Sequence, residues 1–148
     1  GLEITPCDLS SLMEWLSEHP DKYIVTDIKE RNIEALEQIA SRYPELMDQI
    51  APQVYQWGEY SQVAELGYDK IIFTLYALRD LSVPRLLQDV FENEYFAVTF
   101  PMSLADDLAE VLASRGVRTY VHTVNNMQEA SALNKIGVWG VYTDFLHD

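Results

Sequence analysis

Six short apolar runs recur along the chain, at residues 23–28, 50–56, 70–78, 95–100, 117–124 and 138–143. They are rich in Ile, Val, Phe, Tyr and Thr, the residues that fit a pleated, half-buried surface, and each is of strand length. The run at 70–78, centred on Ile71-Ile72-Phe73-Thr74-Leu75-Tyr76, is the clearest. Between the runs, apolar residues fall at helical spacing. Leu9, Leu12, Met13 and Leu16 make one such face; Ile33, Leu36, Ile39 and Tyr43 a second; Leu86, Leu87, Val90 and Phe91 a third. Further helices are expected at 58–66, 104–112 and 127–136.

The boundary residues agree with this reading. Thr5 suits an N-cap, with Pro6 at N1 and Asp8 in the first turn; Asn32, Ser103 and Asn125 or Asn126 suit the caps of later helices. Pro20 and Pro44 mark exits, with a short turn expected from Pro44 through Met47. Gly67, Gly116 and Gly137 each follow a helix where a C′ glycine belongs.

Strands alternating with helices imply a parallel sheet with helices outside it. Two architectures fit: an open doubly wound sheet, or part of a (β/α)8 barrel. The nucleotide-binding open sheet shows a glycine-rich turn after its first strand, whereas this chain has Lys29-Glu30-Arg31-Asn32 there. A barrel places functional polar residues at the C-terminal ends of its strands. Here those ends carry Asp27 and Lys29, Gln53 and Tyr55, Thr74 and Tyr76, His122 and Asn125, and Thr143 and Asp144. With 148 residues the chain reads as one domain. It is expected to lack roughly two or three N-terminal strands of a barrel that takes about 250 residues.

Charge narrows the partners. The formal net charge of −14 argues against nucleic acid, which needs clustered Lys and Arg, and against anionic membrane surfaces. An anionic small molecule would have to be held locally, by a metal or by single cations such as Lys29. No apolar run approaches the roughly 18 residues of a membrane helix, and no signal peptide is visible. The single Cys7 excludes an internal disulfide and reads as a small residue near a helix start.

The first strand carries the sharpest chemistry. Period-2 geometry puts Asp27 and Lys29 on one face. Opposite charges on an apolar strand are costly to bury unless paired or used. From the residues alone, a structural Asp27–Lys29 ion pair and a functional carboxylate and ammonium both stand.

Thr26-Asp27-Ile28-Lys29, then His122-Thr123-Val124-Asn125, then Gly140-Val141-Tyr142-Thr143-Asp144, in this order, resemble the later motifs of the glycerophosphodiester phosphodiesterase family. Pro52-Gln53-Val54-Tyr55 is compatible with it. The likeness runs from Thr5 to Asp144. It implies a partial or trimmed TIM-type barrel, a glycerophosphodiester-type small-molecule substrate, cleavage to an alcohol and glycerol 3-phosphate, a place in lipid metabolism, and a divalent cation (Ca2+ or Mg2+) in the complete domain. It also implies that Asp27 is the fourth-strand metal ligand, where the family usually has Glu, that Lys29 neutralises the phosphate, and that His122 lines the site where the family usually has Trp.

The family's acid/base histidines and paired metal carboxylates lie on its first three strands, and His19, His122 and His147 do not replace them. The chain is therefore expected to be inactive alone, to bind no metal tightly, and to form a homo-oligomer or pair with a missing N-terminal segment. A non-catalytic ligand-binding or interaction domain on a trimmed barrel, and an unrelated open-sheet α/β protein, remain as alternatives. Trp15, Trp57 and Trp139 read as packing aromatics, Asp106-Asp107 as first-turn helix charge, and Asp144 as a turn residue ending the last strand.

Overall fold

A computed structural model describes residues 7–146. The first helix, α1 (Leu9–Glu18), starts after Asp8, whose side chain accepts from Ser11 N at 2.8 Å. Asp8 is thus the cap rather than a first-turn residue; Thr5 and Pro6 lie outside the described residues. Strand β1 (Ile24–Val25) follows, then α2 (Asn32–Arg42). Asn32 does not cap α2 but is its first residue, after Arg31 in the left-handed region (φ 54°). Its Nδ2 donates instead to Gln53 O at 2.8 Å.

The expected second strand is two. β2 (Ile50–Ala51) and β3 (Gln53–Val54) are separated by Pro52, which has no N–H to give a ladder. β2 pairs with β1, and β3 with the next strand. Thr26 bridges the break: its N donates to Ala51 O at 3.1 Å, and its Oγ1 accepts from Gln53 N at 3.3 Å.

Then come α3 (Glu59–Glu65), β4 (Ile72–Thr74), α4 (Val83–Glu92), β5 (Ala97–Pro101), α5 (Ala105–Ala113), β6 (Thr119–His122), α6 (Met127–Lys135) and β7 (Gly140–Val141). Every pairing is parallel, in the order β1-β2 and β3-β4-β5-β6-β7. Among the described residues the result is an α/β fold with an open sheet of six strand positions and helices between them, and no closed barrel.

Ladder segments are shorter than the apolar runs. After β4 the chain turns at once into a 3-10 turn, Leu75–Ala77, so the run at 70–78 is not one strand. Ser103 lies within a 3-10 turn, Met102–Leu104, and does not cap α5. Asn126, of the two candidates, caps α6 by accepting from Gln128 N and Glu129 N.

Alternation divides the sheet's residues between two faces. Ile50, Val54, Phe73, Val98, Phe100 and Val121 join Leu36, Leu86, Leu108 and Leu112 of the helices in the main core. Burying each such side chain contributes roughly 1.5–3 kcal/mol. Ala51, Ile72 and Ala97 point the other way, into a separate cluster with Phe96 and Tyr120. Phe91, expected on the apolar face of α4, is 88% exposed, because five residues on from the buried Leu86 it lies about 140° round the helix.

Candidate functional site

The inward-facing residues continue beyond the ladder at the C-terminal ends of the strands, where they line a cavity of about 330 Å3. Asp27 and Lys29 come from the segment after β1, Gln53 from β3, Thr74 from the end of β4, and Tyr76 from the turn that follows. His122 ends β6, followed by Thr123, and Tyr142 follows β7. The period-2 spacing places Asp27 and Lys29 on this side, as the sequence implied, and the Leu75–Ala77 turn swings the Tyr76 phenol towards them.

One hydrogen-bonded chain crosses three strand ends. Tyr55 OH donates to Asp27 Oδ1 at 2.7 Å, Lys29 Nζ donates to the same oxygen at 2.6 Å, and Lys29 Nζ also donates to Tyr76 OH. The ammonium lies 4.6 Å from the Tyr76 ring centroid and 5.8 Å from that of Tyr55, within range of attraction to the ring faces. An ammonium has three N–H donors; two are used, leaving one for the cavity. Burial pushes the Asp27 carboxyl up, but the hydrogen bonds from Lys29 and Tyr55 outweigh it and hold it below the ordinary value. Lys29 is raised by its bonds to Asp27 and Tyr76, and Tyr55 is raised by burial and by its bond to Asp27. At neutral pH the cavity thus carries an ammonium paired with a carboxylate.

Other polar groups are arranged around it. Thr74 Oγ1 donates to Gln53 Oε1, which fixes the amide and leaves Gln53 Nε2 without a partner among the described residues. His122 Nε2 and Tyr142 OH are both buried and unpartnered. Burial and the neighbouring Lys29 charge lower the His122 pKa, against a smaller opposing effect of Asp27, so the imidazole is neutral at pH 7. Burial pushes the Tyr142 phenol up to about 12. Its hydroxyl therefore keeps its proton. Lys29 Nζ and Gln53 Nε2 offer N–H groups to the oxygens of an anion, and His122 lines the cavity with its Nε2 buried.

It does not by itself suit a divalent cation. Ca2+ and Mg2+ take about six or more oxygens. Among the described residues no three His, Cys, Asp or Glu side chains converge, and Asp27 Oδ1 already accepts from two donors.

The remaining strand-end residues go elsewhere. Asn125 Oδ1 accepts from Asp144 N at 2.8 Å and from Thr143 Oγ1 at 3.0 Å, and its Nδ2 donates to Asp144 Oδ2 at 2.9 Å. This clasp ties the end of β6 to that of β7 and makes Asp144 a turn residue. His19 ends α1, its Nδ1 2.6 Å from Trp15 O, and does not line the cavity; His147 lies outside the described residues. Trp57 packs edge-on against Phe73, Trp15 stacks on His19 and Trp139 packs on Tyr120, the last two while 43% and 60% exposed. Cys7 is exposed. Sequence reasoning gave no site role to Tyr142 or Thr123. Tyr142 could have been found by its period-2 offset from Gly140, whose absent side chain leaves room for the Tyr120 ring.

A second cavity, of about 340 Å3, lies along the apolar concave side of the sheet, lined by Tyr23, Val25, Ala51, Lys70, Ile72, Phe96, Tyr120 and Tyr142. Tyr142 borders both cavities.

A solved structure with a similar fold is a glycerophosphodiester phosphodiesterase from Parabacteroides distasonis. It matches with a TM-score of 0.68 and 14% identity, over 92% of this chain and 59% of that one. At this identity the likeness is one of fold, and the neighbour's fold is a TIM-type barrel. The chain therefore spans less than two thirds of the neighbour's length. No curated protein matches. The sequence model of the glycerophosphoryl diester phosphodiesterase family matches residues 14–147, and with nearly its whole length so matched the chain belongs to that family.

Proposed function

We propose that this chain forms the anion-binding side of a phosphodiester-hydrolysing barrel, receives the phosphate of a glycerophosphodiester-type molecule at Lys29, and does not turn it over alone. One observation carries the reading: Lys29 and Gln53, from two different strand ends, bring N–H groups to one cavity, lined also by His122, at the C-terminal rim of a parallel sheet, where barrels of this kind hold their chemistry. Lys29 neutralises charge on the phosphate. Gln53 fixes the orientation of its oxygens. His122, neutral and partly buried, lines the wall beside Tyr76.

Hydrolysis needs more. General acid–base catalysis requires a proton donor and acceptor on either side of the scissile bond, and His122 is the one histidine at the cavity among the described residues. A divalent cation would supply charge stabilisation in the complete domain. Asp27 offers it one carboxylate, through Oδ2, and the other oxygens would come from outside residues 7–146. Pairing with such a segment, or with a second copy, would also cover the concave sheet face.

Calorimetric or NMR titration of the 148-residue chain with glycerol 3-phosphate, with and without Mg2+ or Ca2+, tests this reading. Binding is expected, weakened about tenfold or more by Lys29→Ala as one charge-assisted hydrogen bond is lost. Turnover of glycerophosphocholine or a chromogenic phosphodiester is not expected. Lack of binding, or unchanged binding by the variant, would remove the phosphate reading. Metal-dependent turnover surviving rigorous purification would overturn the inactivity and point to His122 as base.

A further inference from the structure

We propose that Tyr76 is a positioning residue for the anion-binding lysine, gripping Lys29 against Asp27 so that a single N–H is left to meet the phosphate. The proposal rests on the phosphate reading of the cavity. It explains a residue that packing does not. Tyr76 is a large aromatic left 45% exposed, while its neighbour Leu75 is 2% exposed and anchors the turn in the core. The phenol is directed to polar work: it accepts from Lys29 Nζ, and its ring stands edge-on to Tyr55 (centroids 6.0 Å, 78°) and to His122 (5.9 Å, 84°).

A lysine side chain has four rotatable carbons and is otherwise free to sample many rotamers. Here its side chain is 58% exposed, so surrounding atoms do not confine it. What confines it is two oxygens from different strands. Asp27 Oδ1 is itself held by Tyr55 OH, and Tyr76 OH is carried by the turn after β4. With two of three donors engaged, the third has one direction left. Pre-orienting a donor lowers the ordering cost of binding. Tyr76 also stands edge-on to His122, which ties the position of the ammonium to the cavity wall.

The test compares the full chain with Tyr76→Phe, which keeps the ring and deletes the hydroxyl, with Lys29→Ala, and with the double variant. Two quantities are read: affinity for glycerol 3-phosphate, and the order parameter of the Lys29 ammonium from 15N relaxation without ligand. Tyr76→Phe should weaken binding by about three- to tenfold and make the Lys29 ammonium mobile, with unchanged melting temperature. In the Lys29→Ala background the same substitution should add nothing, as expected when one residue acts through the other. Wild-type affinity in Tyr76→Phe overturns the proposal, and so does an equal loss in the Lys29→Ala background, which would mean that Tyr76 acts without Lys29. If the wild-type chain binds no glycerol 3-phosphate, the phosphate reading falls by itself. The relaxation data then decide the grip, and a Lys29 ammonium equally rigid in Tyr76→Phe rules it out.

Discussion

His122 holds a buried, unpartnered Nε2 beside an ammonium, and both features press it towards the neutral form. Its folded pKa lies below the ordinary 6.5, so the unfolded chain binds more protons as the pH drops, and stability rises with pH across that window. The contribution is fully present above pH 6.5 and is lost as pH falls through the folded value. Asp27 lies below 3.8 and Lys29 above 10.5, so neither titrates in the same range. The melting temperature should therefore fall between pH 7 and pH 5, and the fall should be shallower in His122→Gln. Equal slopes for the two proteins would mean that His122 is solvated after all. At this scale the sequence was a good guide to position and a poor one to partnership. The offset of two placed Asp27 beside Lys29, and they do pair; the i,i+2 rule held because it is local. That Tyr55 and Tyr76 complete the pair could not be read, since those contacts span 28 and 47 residues and depend on register between strands. Asn125 and Thr143 looked equivalent to the others as strand-end polar residues, yet they bond to each other and to Asp144, whose turn role was legible. Nothing in their spacing separates a clasp from a site.

Among the elements, helix exits were the most legible, because glycine marks a backbone requirement rather than a contact. Gly67, Gly116 and Gly137 all have positive φ, at 96°, 74° and 96°. They are not equivalent in their surroundings. A Cβ on Gly116 would meet nothing within 4 Å, whereas on Gly137 it would lie 2.7 Å from Ala113 Cβ, where the α6–β7 turn crosses α5. Gly116→Ala should cost about 1 kcal/mol, the strain of a left-handed alanine. Gly137→Ala should cost about 2–3 kcal/mol, because overpacking adds to the same strain. Urea unfolding at constant m-value measures both, and equal losses would show that the turn relaxes away from α5. Strand extents were the least legible. Extended, apolar backbone continues on either side of each ladder, so composition overstates the paired length. Pro52 was visible within the run at 50–56 and is the signal that the strand divides there.

Taken whole, the molecule presents an apolar concave face that its own described residues leave open. Tyr23 and Val25 at the cavity rim are 62% and 43% exposed, and Trp139, packed on Tyr120, is 60% exposed. β1 and β7 each pair on one side only among the described residues, and unpaired strand edges favour association. The alternation of strands and helices made the parallel α/β plan legible. How far the sheet curls, and what its inner face meets, depends on strand number, which no local pattern encodes. A second copy is expected to cover this face at high protein concentration. Two copies each carrying a net charge of −14 repel one another, and salt screens that repulsion to within about 8–10 Å. Apolar association opposed by like charge should therefore strengthen as salt rises from 20 to 300 mM, the reverse of what an ion-paired interface would do. Sedimentation equilibrium over a hundredfold concentration range at both salt levels makes the comparison, with Val25→Glu placing a charge in the trough. The weight-average mass should rise with concentration, rise further with salt, and return to that of the 17.0 kDa chain in the variant. A monomer throughout would show that this open sheet face is stable in water uncovered, and that the expected association is wrong.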